Sequence, residues 1–271
     1  MANKKKIGIA LAGGVGYCMT HIGVFQALEE AGIRPDMVAG TSGGALIGAM
    51  YASGIKLDRI EAIAKSVKWS RLMGAHFLLK GLATSEPIET LMDDLLGKGR
   101  RFADLGTELL VSAVDLVTER KVIYPEQPAQ TIALPVRASC SLPLVFSPVR
   151  DGERLLVDGG MLVPLPAREL RERGADFVIA ADFKVARAEP RNLFDVALRT
   201  LNITNQERLA ESVKAADIHI ESHVGQASRW DLAAAVDLIK VGRMAAEDAL
   251  AKHQDLLREV LAEPTWGGTP A

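Results

Sequence analysis

One serine stands where nucleophile chemistry needs it: Ser42 lies between Gly40 and Gly44 in Gly40-Thr41-Ser42-Gly43-Gly44. This is the G-x-S-x-G spacing of a nucleophile elbow. A serine on a sharp strand-to-helix turn takes an unfavourable backbone conformation, and side chains two residues on either side would collide with the turn. The turn lifts the hydroxyl above the sheet edge, at the positive end of the following helix. A tight strand-to-helix turn with a capping serine is the plainer alternative. The strongest acid is Asp158, in LLVDGG, where an apolar run ends in a carboxylate followed by Gly159 and Gly160. Wound sheets place chemistry at such strand ends, although Asp-Gly also makes ordinary turns. A third feature is the loop Gly13-Gly14-Val15-Gly16. Its successive backbone N–H groups suit an oxyanion hole or a phosphate site. A dinucleotide fingerprint would need glycines at 14, 16 and 19, and residue 19 is Met; no G-K-[ST] follows any glycine run either.

A serine needs a base, and the five histidines are His21, His76, His219, His223 and His253. After an acidic residue, only His219 and His223 fall near a strand end, so a Ser-His-Asp arrangement through one of them stays open. His21 lies in an apolar helix and reads as a core residue with its polar atoms satisfied. Cys140, in ASCSLP, has no histidine close by in sequence. Asp115 and Asp182 follow apolar strands and are candidates to line the cleft.

These residues must be positioned by strands and helices whose rhythm is visible. Ile7–Ala12 is apolar on both faces, as in a buried parallel strand. Residues 18–32 read as a helix, Asp36–Gly40 as a second strand and Gly43–Ala52 as a small-residue helix. Strand–turn–helix repeated twice is the signature of a wound α/β sheet. Residues 55–104 read as a helical insertion with breaks at Gly74, Gly81, Pro87 and Gly97. Strands return at Leu109–Thr118, Leu155–Val157, Phe177–Phe183 and Asp217–Glu221, with helices over 191–216 and 231–260. The expectation is one domain over residues 1–262 and a flexible tail over 263–271. Within the insertion, residues 67–82 carry Trp69, Leu72, Met73 and Phe77 at helical spacing. An amphipathic helix packed on the core is the favoured reading, and an interfacial lid over an acyl groove the alternative.

Composition excludes several classes. The chain has 271 residues, 48% of them hydrophobic, which suffices for a full core. A net charge of −2 offers no basic excess for nucleic acid. Two cysteines, Cys18 and Cys140, make no disulfide framework and suit a reducing cytoplasm. The basic start and short apolar run before Cys18 mimic a lipoprotein signal poorly, because glycines interrupt the run and bulky Tyr17 precedes the cysteine. No stretch approaches the ~20 apolar residues of a spanning helix.

Taken in order, AGGVGYCMTHIGVFQALEEAGI, GTSGGALIGAMYASGI, ASCSLPLVFSPV and LLVDGGMLVPLP resemble the patatin-like phospholipases, serine–aspartate lipid acyl hydrolases, in a bacterial single-domain form. The resemblance spans about residues 6–250, more faintly through GADFVIAADF, DIHI and IKVGRMAAEDAL. It implies a three-layer α/β sandwich with a mostly parallel central sheet flanked by helices. It implies Ser42 as nucleophile, Asp158 as its base without a histidine, and the backbone of Gly13, Gly14, Val15 and Gly16 as oxyanion hole. No metal or cofactor is implied. The partner is an acyl lipid or ester, with peripheral contact to a membrane and a cytoplasmic location. The chain departs from the family loop, G-G-G-x-R/K-G, at Val15, Tyr17 and Cys18. That departure motivates a second reading, a catalytically weakened lipid- or acyl-binding protein on the same scaffold.

Overall fold

The computed structural model describes residues 5–74, 83–186, 189–190 and 193–261. The tail expected over 263–271, and residues 75–82 with Phe77, lie outside the described residues.

The strands build a single eight-stranded sheet of order β5-β6-β3-β2-β1-β7-β8, with β4 on the far edge of β3. The central strands are β1 (Ile7–Leu11), β2 (Met37–Thr41) and β3 (Glu108–Asp115), with β7 (Phe177–Val185) and β8 (Ile218–Gly225) on one side. All five run parallel. Three further strands, β4 (Arg120–Tyr124), β5 (Val149–Asp151) and β6 (Arg154–Asp158), are antiparallel additions.

Helices cover both faces. On one face Ile9, Leu11, Val38, Val111 and Ile179 pack in the main core with α1 (Thr20–Glu30) and α2 (Gly43–Ala52). The other face is narrower, with Ala10, Ala12, Ala39 and Ala180 under Leu165, Ala167 and Leu170. Burial on both faces is why the strands read as continuous apolar runs rather than alternating ones.

The stretch expected as a helical insertion holds α3 (Leu57–Ser66), α4 (Trp69–Leu72) and α5 (Glu86–Leu96). Pro87 starts α5 rather than breaking a helix, since the first turn lacks a use for its N–H. After β4 come α6 (Ala133–Ser139), then α7 (Ala167–Glu172), α8 (Leu193–Thr204), α9 (Gln206–Lys214), α10 (Ala235–Lys252) and α11 (Gln254–Leu261). Among the described residues, no helix is long and apolar enough to cross a membrane.

The sheet register explains how distant residues converge. β2 pairs with Glu108–Ser112 of β3 in parallel, ending with Thr41 opposite Ser112. β6 pairs antiparallel with Ala113–Asp115 of β3, ending with Asp158 opposite Ala113. β4 occupies the other edge of β3 across Val111–Asp115. β2 and β6 must therefore share one edge and meet head to head, bringing the residues after Thr41 and at Asp158 to one point.

Candidate active site

Ser42 occupies the turn between β2 and α2 with φ 52° and ψ −125°. A non-glycine residue held there is strained, at a cost of order 1–3 kcal/mol. Its neighbours show why the elbow needs glycine. A Cβ on Gly40 would lie 2.5 Å from the Ala45 nitrogen, and one on Gly44 would lie 2.5 Å from the Leu11 carbonyl oxygen. The N–H of Ser42 donates to Ser139 Oγ at 2.8 Å. Thr41 is clamped too: its hydroxyl donates to the Val163 carbonyl at 2.8 Å and lies 2.6 Å from Ser112 Oγ.

Asp158 is 3% exposed, and its carboxylate faces the Ser42 hydroxyl. It accepts a hydrogen bond from the Gly160 N–H at 2.8 Å. Burial pushes the Asp158 carboxyl up to about 6, and the Ser42 hydroxyl and the Gly160 N–H resist that rise by favouring the charged form. Gly159 lies so close to Ser112 that a Cβ would come within 2.4 Å of the Ser112 carbonyl oxygen. The Asp158 N–H donates to the Ser141 carbonyl at 3.0 Å. The segment Ser139–Ser141 thus holds both the elbow and the aspartate strand. Sequence reasoning assigned neither serine a role, because nothing in ASCSLP separates a clamp from a turn.

The Gly13–Gly16 loop ends β1 beside the elbow. Gly13 N–H donates to the Pro164 carbonyl at 3.3 Å and Gly16 N–H to the Arg229 carbonyl at 3.0 Å. Gly14 and Val15 are left as N–H groups without a partner among the described residues. Val15 adopts φ 53°, the left-handed region that a β-branched side chain disfavours. The loop then winds into a short 3-10 helix, Val15–Met19.

Val15, Ser42, Gly43, Cys18 and Cys140 line a partly open apolar cavity. Leu46, Ile47 and Met50 of α2, Ile63 and Ala64 of α3, and Leu91 of α5 extend it. Trp69 and Leu72, from the segment read as amphipathic, form part of the wall. The Trp69 indole N–H donates to the Trp230 carbonyl at 2.7 Å. Burial pushes the Cys18 thiol up to about 12 and raises Cys140 well above the ordinary thiol value, so both remain neutral wall residues.

The histidines are engaged elsewhere. His219 lies 2.8 Å from Asp182, and His223 2.8 Å from Glu221. β8 stands three strands from β2, roughly 14 Å at the usual strand spacing. His21 Nε2 donates to the Ala12 carbonyl at 2.9 Å, but its Nδ1 is buried without a partner, so the residue is only half satisfied. Burial lowers its pKa to about 4 and keeps the ring neutral. Asp115 secures a turn, accepting from Val117 N–H, Thr118 Oγ1 and Leu155 N–H. Among the described residues, no group of three or more His, Cys, Asp or Glu side chains is arranged to hold a metal ion.

A wound sheet with a strained serine at its carboxyl edge, over an apolar cavity, defines an elbow-type α/β protein. The chain belongs to the patatin-like phospholipase family, whose pattern matches residues 9–171. A patatin-like phospholipase domain-containing protein of Caenorhabditis elegans is 32% identical over 70% of this chain and 14% of its own length. An uncharacterized NTE family protein of Mycobacterium tuberculosis is 27% identical over 94% of this chain and 48% of its own. The chain spans about half the length of the curated relatives it matches first. Among solved structures, VipD from Legionella pneumophila aligns with a TM-score of 0.58 at 14% identity, covering 94% of this chain and 67% of VipD. ExoU from Pseudomonas aeruginosa aligns with a TM-score of 0.52 at 14% identity, covering 92% of this chain and 52% of ExoU. These two likenesses are of fold: an open central sheet flanked by helices.

Proposed function

We propose that this chain hydrolyses carboxylic esters of acyl lipids through an acyl-enzyme on Ser42, with Asp158 as general base. The Ser42 hydroxyl facing a buried Asp158 carboxylate, with Ser42 lining an apolar cavity, carries the reading. Family membership supports the substrate class.

Ser42 Oγ attacks the ester carbonyl as its proton passes to Asp158. Negative charge develops on the carbonyl oxygen, where Gly14 and Val15 offer unspent N–H groups and α2 its N-terminal end. The carbon–oxygen bond to the alcohol breaks, and the alcohol takes the proton from Asp158. Water then gives a proton to Asp158 and attacks the acyl carbon; the acyl–Ser42 bond breaks, Ser42 Oγ takes that proton from Asp158, and the acid is released. A pKa near 6 makes Asp158 a far better proton acceptor at neutral pH than an exposed carboxylate. The Ser-His-Asp alternative is disfavoured because His219 and His223 lie on β8, three strands from the strand that leads into Ser42.

Two measurements test the proposal: labelling by a fluorophosphonate probe and hydrolysis of p-nitrophenyl esters from short to long acyl chains. Both are expected in the wild type and lost in Ser42→Ala. A folded protein that neither labels nor turns over would make the chain an acyl-binding relative, its loop weakened at Val15. Replacing His219 and His223 together by Gln is expected to leave turnover intact; its loss would return the base to a histidine.

A further inference from the structure

Tyr17, in the short helix that follows the Gly13–Gly16 loop, holds a distant segment in place. Its hydroxyl donates to the Ala227 carbonyl at 2.7 Å, and its ring packs against Phe183 with centroids 5.1 Å apart. One residue earlier, Gly16 N–H donates to the Arg229 carbonyl, and a Cβ on Gly16 would lie 2.6 Å from that oxygen. Residues 227–229 are therefore seated on the oxyanion loop through two backbone acceptors. That seating delivers a cation: the Arg229 guanidinium carbon stands 5.6 Å from the centroid of the Tyr17 ring.

Arg229 is half-buried and makes no hydrogen bond or ion pair with its side chain among the described residues. Asp231, two residues away, is turned to the Ala233 N–H at 3.0 Å. A cation held over a ring face spends no N–H donor on an oxygen acceptor, so the guanidinium keeps its donors for an anion. Trp230 and Leu232 line the apolar cavity that begins at Ser42, whereas Arg229 does not. The change from apolar wall to cation falls between two consecutive residues.

We propose that Arg229, seated on Tyr17, is an anion-binding residue at the rim of the acyl cavity and favours esters that carry a phosphate head group. A guanidinium meets phosphate through two parallel N–H donors, and the Tyr17 ring holds it preformed for that contact. Selection in turnover rests on the Ser42 reading; binding does not.

The binding test therefore uses the Ser42→Ala protein, titrated with an ether-linked lysophospholipid and with the alkylglycerol of the same chain, followed by tryptophan fluorescence. The lysophospholipid is expected to bind more tightly. Adding Arg229→Met, which keeps an unbranched chain over the ring, is expected to cut that preference about tenfold, the scale of one charged hydrogen-bonded contact. Arg229→Lys is expected to recover part of it. In the Ser42 protein, the ratio of kcat/KM between lysophospholipid and monoacylglycerol should fall likewise in Arg229→Met, through KM. Equal losses on both lipids would make Arg229 a clamp for the loop and overturn the proposal, as would equal binding of the two lipids before mutation. Inorganic phosphate alone should give no comparable saturation; if it matches the lysophospholipid, the site is one for free phosphate and the head-group assignment falls. Preference without Ser42-dependent turnover would sink the catalytic reading and leave Arg229 standing.

Discussion

Asp158 carries opposing demands on one side chain. Its carboxyl is raised to about 6 by burial, against an ordinary value of 3.8. The folded protein therefore holds the proton to higher pH than the unfolded chain does. The contribution of Asp158 to stability is greatest below pH 4, falls as pH climbs from about 4 to 6, and above that is a cost of about 3 kcal/mol. Asp158→Asn is expected to unfold at higher urea than the wild type at pH 8, by up to about that amount, with the gap closing toward pH 4. The same variant should lose about 10²–10⁴-fold in turnover. In the wild type, kcat/KM should rise with pH through about 6 and then level, because only the ionised carboxylate accepts the Ser42 proton. An Asn variant no more stable than wild type at pH 8, or a flat wild-type profile, would contradict this account of Asp158.

At the scale of elements, the site depends on how closely neighbours approach. α1 and α10 touch backbone to backbone: a Cβ on Gly23 would lie 1.9 Å from the Ile239 carbonyl oxygen, and one on Gly242 equally close to that of Thr20. α1 also carries His21, which ties the end of β1 through Ala12. Gly23→Ala must push the helices apart, at roughly 3 kcal/mol, a loss of about 5–10 °C in a protein of this size. Gly106→Ala, with open space around it, is the control and should melt with the wild type. Equal melting of both variants would refute the close packing. The elements that periodicity missed share a cause. β4 and β5 are short and charged, RKVIY and VRD, and they are strands only because β3 and β6 offer them edges. α6 holds Pro135, which masks seven helical residues in a sequence reading.

For the whole molecule, the cavity is the assembled product. Its wall draws on Val15 and Gly16 of the glycine-rich loop, α2, α3, α4, α5, the Cys140–Phe146 region and the segment at Trp230. Ala64 of α3 is buried on this wall. Ala64→Phe fills part of the cavity. It is expected to lower kcat/KM about tenfold for long-chain p-nitrophenyl esters relative to short ones, within the 1–3 kcal/mol of overpacking. An unchanged chain-length profile would mean that acyl chains leave Ser42 by another route.

What the residues determined alone was local. The elbow at Gly40–Gly44, the strand–turn–helix rhythm of the first 54 residues and the strand end at Asp158 were all legible, because each depends on sterics and burial within a few neighbours. Tertiary structure alone decided that β2 and β6 meet end to end on one edge of β3, that Ser139 and Ser141 clamp the two halves, and that His219 stands away. It also decided that Tyr17, an apparent loss of charge, seats Arg229. Strand order and register arise from which edges pair across the sheet, and hydrophobic periodicity carries no record of that pairing.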